Sequence, residues 1–366
     1  MTAHETTALP SGVTLTPLHI PASVDAPDAA DFIDMVRARN AIYEEINGTD
    51  DETVDAAELL PGFQHTDYSK RSWWVVRQGD RAVGRVGIEL PQEEGSHIAY
   101  WWIELVRSVW GQGIGSAAYE MVEQRVRAEG RTVMQAWASH VQGDGERLAP
   151  PTGFGTVPRD HAARFLERRG HTLEQIERQS VLNLDPAAFA RIEDLLGEAR
   201  KAAADYEIVQ WMLPTPDELV DDYAWLKSRM STDAPAADLD VDEETWDAAR
   251  VRDHDARYVE SGRAAQVTAA RHVATGTLAA FNELVAGTDR SRPTMQEDTL
   301  VLREHRGHRL GMLVKCAGLL SWREVAPQSR RVLTWNAEEN RPMLDINEAI
   351  GFAPMLYNGA WKKELS

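Results

Sequence analysis

Arg306-Gly307-His308-Arg309-Leu310-Gly311 is a basic, glycine-bearing turn of a kind that binds anions. It follows the β-branched and leucine run Thr299–Leu302. It opens onto Leu310, Leu313, Val314, Ala317 and Leu320, spaced as one face of a helix. A strand that turns into a helix gathers unbonded amide N–H groups and the positive end of the helix dipole at one point. Phosphate is the usual occupant of such a place. Gly307 and Gly311 let the backbone approach a ligand, and Arg306 and Arg309 add fixed positive charge. The other reading is a glycine-assisted connection with no ligand, and one turn does not separate the two.

The plan occurs twice. Ile103–Val106 reads as a strand, Trp110-Gly111-Gln112-Gly113-Ile114-Gly115 as the turn, and Ser116–Val126 as the helix. Gly115 and Gly311 lie 196 residues apart (311 − 115). Val83-Gly84-Arg85 matches Thr275-Gly276-Thr277 at an offset of 192 (276 − 84), and Gly170-His171 matches Gly351-Phe352 at 181 (351 − 170). A chain that repeats strand, turn and helix at near-constant offset is a tandem duplication.

These residues resemble the GNAT superfamily of N-acetyltransferases. Its first signature is Arg/Gln-x-x-Gly-x-Gly/Ala between the fourth strand and third helix, and Arg306 to Gly311 is similar to it with Arg309 in place of one glycine. Its second, Asn-x-x-Ala-x-x-x-Tyr-x-x-x-Gly-Phe, is matched from Asn340 to Phe352, with Met343 for the alanine and Asn347 for the tyrosine. In the first half Trp110 replaces the Arg/Gln, Arg159 stands at the asparagine and Leu166 at the tyrosine. The resemblance implies an α+β (mixed α/β) fold. Two GNAT-like domains would each have a mostly antiparallel, splayed sheet flanked by helices. They are expected at residues 1–185 and 205–366, joined by a helix over 186–204, with the second domain catalytic.

The resemblance also implies acetyl-CoA as co-substrate, and no metal is expected because the sequence has no metal spacing of His and Cys. The backbone of Leu300, Val301 and Leu302 would meet the pantetheine arm and acetyl carbonyl. Arg306, Gly307, His308, Arg309, Leu310, Gly311 and Met312 would hold the pyrophosphate. Asn336, Asn340, Met343 and Asn347 would face the arm, with Asn347 equally suited to capping local backbone. Trp110, Gly111, Gln112, Gly113 and Gly115 would form a second cofactor turn without chemistry.

Acetyl transfer to an amine needs the neutral amine, and deprotonating an ammonium of pKa about 10.4 at neutral pH costs roughly 4 kcal/mol. A carboxylate can take that proton directly or through water. The candidates are Glu297, then Glu283 and Asp298, with Glu283 on the third strand of its half and the other two just before the fourth. Each also reads as an ordinary exposed acid. Tyr357 is the candidate acid for the leaving thiolate, which otherwise departs unaided. His305 and His308 read as solvated turn residues, Cys316 as helix core, and Trp73, Trp74, Trp101 and Trp102 as core or interface.

The bulk numbers set limits. A formal charge of −19 argues against nucleic-acid or anionic-membrane partners and suits a cationic small-molecule amine as well as plain solubility. One cysteine fits a reducing cytoplasm, and no apolar run approaches the roughly 20 residues of a membrane span. A monomer or homodimer is expected. Met1–Ser11 reads as loose, and the Gly- and Pro-rich stretch from Gln142 to Asp160 as a long loop. The competing class is a non-catalytic CoA-binding or scaffold module with both halves degenerate, which the absent tyrosine favours.

Overall fold

Alternating and 3.6-periodic apolar patterns place strands and helices in the same core order in both halves of the computed structural model, the first half adding three short strands, and the structure describes residues 6–141 and 143–365. The first half holds β1 (Thr7–Leu9), β2 (Val13–Pro17), α1 (Ala30–Asn47), α2 (Ala56–Gln64), β3 (Ser69–Gln78), β4 (Arg81–Pro91) and β5 (Ile98–Leu105). It continues with α3 (Ile114–Ala128), β6 (Val133–His140), β7 (Arg147–Leu148), β8 (Val157–Pro158), α4 (His161–Glu167) and β9 (Thr172–Asn183). After α5 (Pro186–Ala202) come β10 (Tyr206–Met212), α6 (Val220–Asp233), α7 (Ala248–Glu260), β11 (Ala264–His272), β12 (Leu278–Ala286) and β13 (Thr294–Val301). The chain closes with α8 (Leu310–Val325), β14 (Arg331–Ala337), α9 (Arg341–Ile350) and β15 (Ala353–Glu364).

The chain divides into two units. The first runs to Ile176 and takes in Ala237–Asp242 and the chain from Tyr357, and the second holds Glu177–Ala236 and Glu243–Leu356. In the first, β1 to β6 follow in order, and β15 from Tyr357 lies antiparallel beside β6. In the second, the order is β9 from Glu177, then β14, β13, β12, β11 and β10. Each sheet is antiparallel except for one pair, β5 with β6 in the first unit and β13 with β14 in the second. Both are mixed α/β, with an apolar core on each face of the sheet. In the second unit α5, α8 and α9 cover one face and α6 and α7 the other.

Three local expectations change. Of the stretch read as loose, residues 1–5 lie outside the described residues, as does Gln142 of the expected loop. Thr7–Leu9 is not loose: it pairs with Val13–Leu15 across a tight turn. The stretch expected as a loop carries the two-residue pair β7–β8. Glu297 and Asp298 lie inside β13 rather than ahead of it, because Thr294 and Gln296 are buried strand residues despite their polarity. No described helix is long and apolar enough to cross a membrane.

Candidate active site

β13 and β14 stay together only over Thr294–Gln296 opposite Val332–Thr334. Beyond that, β14 keeps to β9 as far as Ala337 and β13 keeps to β12 as far as Val301, so the two strands part. Leu302 N–H donates to Ala279 O at 3.0 Å, which puts Leu300 in the series bonded to β12. Antiparallel alternation then turns the amides of Thr299 and Val301 to the open edge. Donors facing a gap between strands suit a chain of amides or an acyl oxygen laid into it.

The turn stands at the end of this gap. A tight turn over Arg303–His305 leads to Gly307 at φ +89° and to Arg309 at φ +56°, and α8 begins at Leu310. Amides from Gly307 to Met312 have no acceptor among the described residues, so the start of α8 is a cluster of free donors. A side chain at position 309 suits such a turn only at negative φ, yet the backbone there is left-handed, at a cost of about 1–2 kcal/mol. Arg309 pairs with Glu198 at 2.9 Å. Arg306 Nε donates to the Val301 carbonyl at 3.3 Å, and the inaccessible Asp233 carboxylate draws in Arg229 at 2.8 Å, Arg303 at 3.2 Å and Arg306 at 3.7 Å. Arg309→Gly is therefore expected to stabilise the fold by up to about 1 kcal/mol in urea unfolding, whereas Arg309→Ala, which keeps the strain, gives no gain. An equal effect from both would show that the strain costs nothing.

On the α6–α7 face the acids meet. Asn282 stands opposite Thr299 and Leu284 opposite Gln296, so Glu283 alone opposes both Glu297 and Asp298. This β-bulge gathers three carboxylates at the point where the strands separate. Lys227 on α6 reaches Asp298 at 2.6 Å and Glu283 at 3.3 Å, and Tyr223 donates to Glu283. Burial opposes the Lys227 charge, but the carboxylates of Asp298 and Glu283 outweigh it and hold its pKa above the ordinary value. Burial also works against Asp298, whose carboxyl the Lys227 ammonium nevertheless holds low.

Glu297 differs from both. It is exposed to solvent, yet protein crowds it closely enough that lost hydration, then the charges of Asp298 and Glu283, push its carboxyl up to about 7. Tyr258 on α7 is kept protonated by burial and by Glu297 and Glu283. A carboxyl of this pKa, open to solvent beside the gap, can exchange protons at neutral pH. The sequence reading missed Tyr223, Lys227 and Tyr258. One signal was available: Lys227 falls on the apolar stripe Val220, Tyr223, Ala224, where a solvated lysine does not belong.

On the opposite face, the buried Asn347 side chain accepts from Lys315 Nζ at 2.8 Å and donates to Asn336 Oδ1 at 2.7 Å. Asn340 caps α9 by accepting from Met343 N–H at 3.4 Å, and Met343 is half-buried. Leu300 and Leu302 bury their side chains in the α6–α7 core, and Leu310 and Met312 theirs in the α8 core. Tyr357 is not gathered here. It stands opposite His140 in the first unit and packs on that unit's core, because β15 from Tyr357 completes that sheet. His305 is half-buried, with Nδ1 2.9 Å from the Tyr206 hydroxyl, and His308 is exposed. Burial pushes the Cys316 thiol up to about 12, which suits core rather than nucleophile. Among the described residues no group of three or more His, Cys, Asp or Glu is arranged to hold a metal.

The first unit repeats the turn without the acids. Gly111 and Gly113 take φ +73° and +81°, and amides from Gly111 to Ser116 have no acceptor among the described residues. Trp110 stacks on His161 with ring centres 4.6 Å apart. The parallel pairs begin at Ile98 and Thr294, so the offset of 196 (294 − 98) sets Trp101 and Trp102 at the places of Glu297 and Asp298. The nearby Glu104 is bound to Arg85 at 2.5 Å and to the Tyr43 hydroxyl at 3.3 Å.

Comparison with known proteins agrees with the fold. Residues 36–147 match the family described as Acetyltransferase (GNAT) family. The chain is similar to a solved tandem GNAT protein from the clavulanic acid biosynthesis pathway, without acetyl-CoA. The identity is 25%, covering 96% of this chain and 98% of that one, with a TM-score of 0.72. It also shares the fold of a GCN5-related N-acetyltransferase from Sphaerobacter thermophilus, at 14% identity over 97% and 96% of the two chains and a TM-score of 0.61. Comparison with curated protein sequences gave no match.

Proposed function

We propose that the chain is a tandem GNAT acetyltransferase whose second unit acetylates the primary amine of a small molecule, using acetyl-CoA. Acetyl-CoA supplies the activated acetyl thioester. Amides from Gly307 to Met312, with Arg303 and Arg306, would hold its pyrophosphate, and Thr299 and Val301 N–H would receive the arm and the acyl oxygen. Glu297 takes the proton from the amine. Lost hydration, then the Asp298 and Glu283 charges, raise that carboxyl to about 7, and the three acids give the acceptor side the negative charge a cationic amine seeks. The observation that carries this reading is the place of Glu297, a solvent-exposed carboxyl set beside Asp298 and opposite Glu283 where the parallel strands part.

The family match falls in the first unit, whose turn keeps both glycines, so that unit is assigned cofactor binding without chemistry. The tandem GNAT protein it is similar to belongs to a small-molecule biosynthetic pathway, which supports a small-molecule acceptor. A cytoplasmic protein acting as monomer or homodimer, with no nucleic-acid or membrane partner, completes the reading.

The test is CoA release from acetyl-CoA over a panel of small amines. Release that saturates with one amine class supports the enzyme. Acetyl-CoA binding with no release for any amine supports the other reading, a CoA-binding scaffold, which Asn347 at the tyrosine position favours. Arg306→Ala is expected to weaken acetyl-CoA binding by about tenfold, as for one charge-assisted contact, and more than Trp110→Ala does. Equal or reversed losses by calorimetry would move the working site to the first unit.

A further inference from the structure

Lys315 on α8 has no part in the scheme above, yet it is a lysine sealed inside the second unit. It is 1% exposed, and among the described residues no carboxylate pairs with it. Its Nζ bonds only the Asn347 amide oxygen. Asn347 in turn reaches Asn336, in the part of β14 that has left β13. The chain Lys315, Asn347, Asn336 thus runs from α8 through α9 to the edge of the gap. Lys315 stands one helical turn beyond Gly311, whose close fit against Ile346 and Val301 holds α8, α9 and β13 together at that level. Glu297 stands beside the gap on the α6–α7 face, and Lys315 is joined to the gap edge on the α8–α9 face through Asn347 and Asn336.

We propose that Lys315 is the acid of the reaction, delivering its Nζ proton to the departing sulfur, an inference that rests on the acetyltransferase reading. As the amine nitrogen bonds the acetyl carbon, the carbon–sulfur bond breaks and its electron pair goes to sulfur. The Nζ proton passes to that sulfur, leaving a thiol and neutral Lys315, while Glu297, which has already released the ammonium's first proton to water, takes the second from the new amide nitrogen. Water then reprotonates Lys315 and deprotonates Glu297. Burial lowers the Lys315 pKa to about 7, below the roughly 8.5 of a thiol, so the transfer runs downhill. Asn347 positions the ammonium by accepting from it, which gives a physical role to the residue that replaced the tyrosine.

Two readouts test this. Lys315→Met, close in length and apolar, is expected to lower turnover on the order of 10²-fold at unchanged acetyl-CoA affinity, and to abolish the fall of rate above pH about 7. Independently of turnover, the side-chain NMR titration of Lys315 is followed with CoA and with desulfo-CoA. A midpoint moved by CoA and not by its sulfur-free analogue supports the assignment. Equal midpoints with both, or full turnover in Lys315→Met, overturn it. Wild-type protein that releases no CoA with any amine defeats the acetyltransferase reading instead, while the NMR comparison still decides whether Lys315 meets the sulfur.

Discussion

Glu297→Gln is expected to lower turnover by a factor of about 10²–10⁴ while leaving acetyl-CoA affinity unchanged, because the amide cannot accept the amine's proton. The pH dependence identifies the group. Glu297 is raised to about 7 by lost hydration and by the neighbouring Asp298 and Glu283 charges, so it is protonated and idle below that pH. The rate with wild-type protein should rise as pH climbs through about 7, and this limb should vanish in Glu297→Gln. With Lys315 deprotonating near the same pH, the wild-type profile is a narrow bell centred near 7. A rate loss below threefold, or a rising limb that survives, would remove Glu297 from the role of base.

Lys227→Met is expected to cost about 3–5 kcal/mol of folding stability, chiefly because it strips the paired cation from the buried Glu283, with a smaller share from the partly exposed Asp298. The sign with pH follows from the two shifts. Asp298 is held below its ordinary pKa, so its share of the stability is present above the unfolded carboxylate value and is lost as pH falls through the lower, folded one. Lys227 is held above its ordinary pKa, so its share is complete below the unfolded lysine value and is lost only as pH rises through the folded one. The gap between wild type and Lys227→Met should therefore be wide at neutral pH and should narrow in acid. Urea unfolding at several pH values measures it. A difference below about 1 kcal/mol at pH 7 would show that Asp298 and Glu283 do not depend on Lys227.

Lys315→Met should have the opposite effect on stability. Its depressed pKa means that the unfolded chain binds the extra proton between about 7 and the ordinary lysine value. The buried charge thus destabilises the fold most below pH 7, and removing it should help most there. A group that costs stability and makes one hydrogen bond fits a functional role better than a packing one.

The turn, the repeat and the order of elements were legible because they rest on local rules. Glycine at positive φ, Gly351 among them, and apolar residues at helical spacing act within a few residues. Gly351 has a further constraint that sequence hides: a side chain there would strike Arg191 of α5. The acid cluster was half legible. Glu283, Glu297 and Asp298 could be named, but their meeting depends on a register shift between β12 and β13, which no local pattern announces. Lys227, Tyr258 and Lys315 come from helices distant in sequence from β13 or across the sheet from it, and they acquire chemistry only through their surroundings. Tyr357 illustrates the reverse case, a plausible residue type that the sheet order carries into the first unit's core.

A crystal structure with acetyl-CoA soaked in decides where the cofactor lies. Pyrophosphate density is expected on the amides of Gly307 to Met312, with the arm between β13 and β14 and the acetyl group beside Glu297. Density confined to the turn at Gly111 to Gly115, with the gap beside Glu297 left empty, would contradict a working second unit.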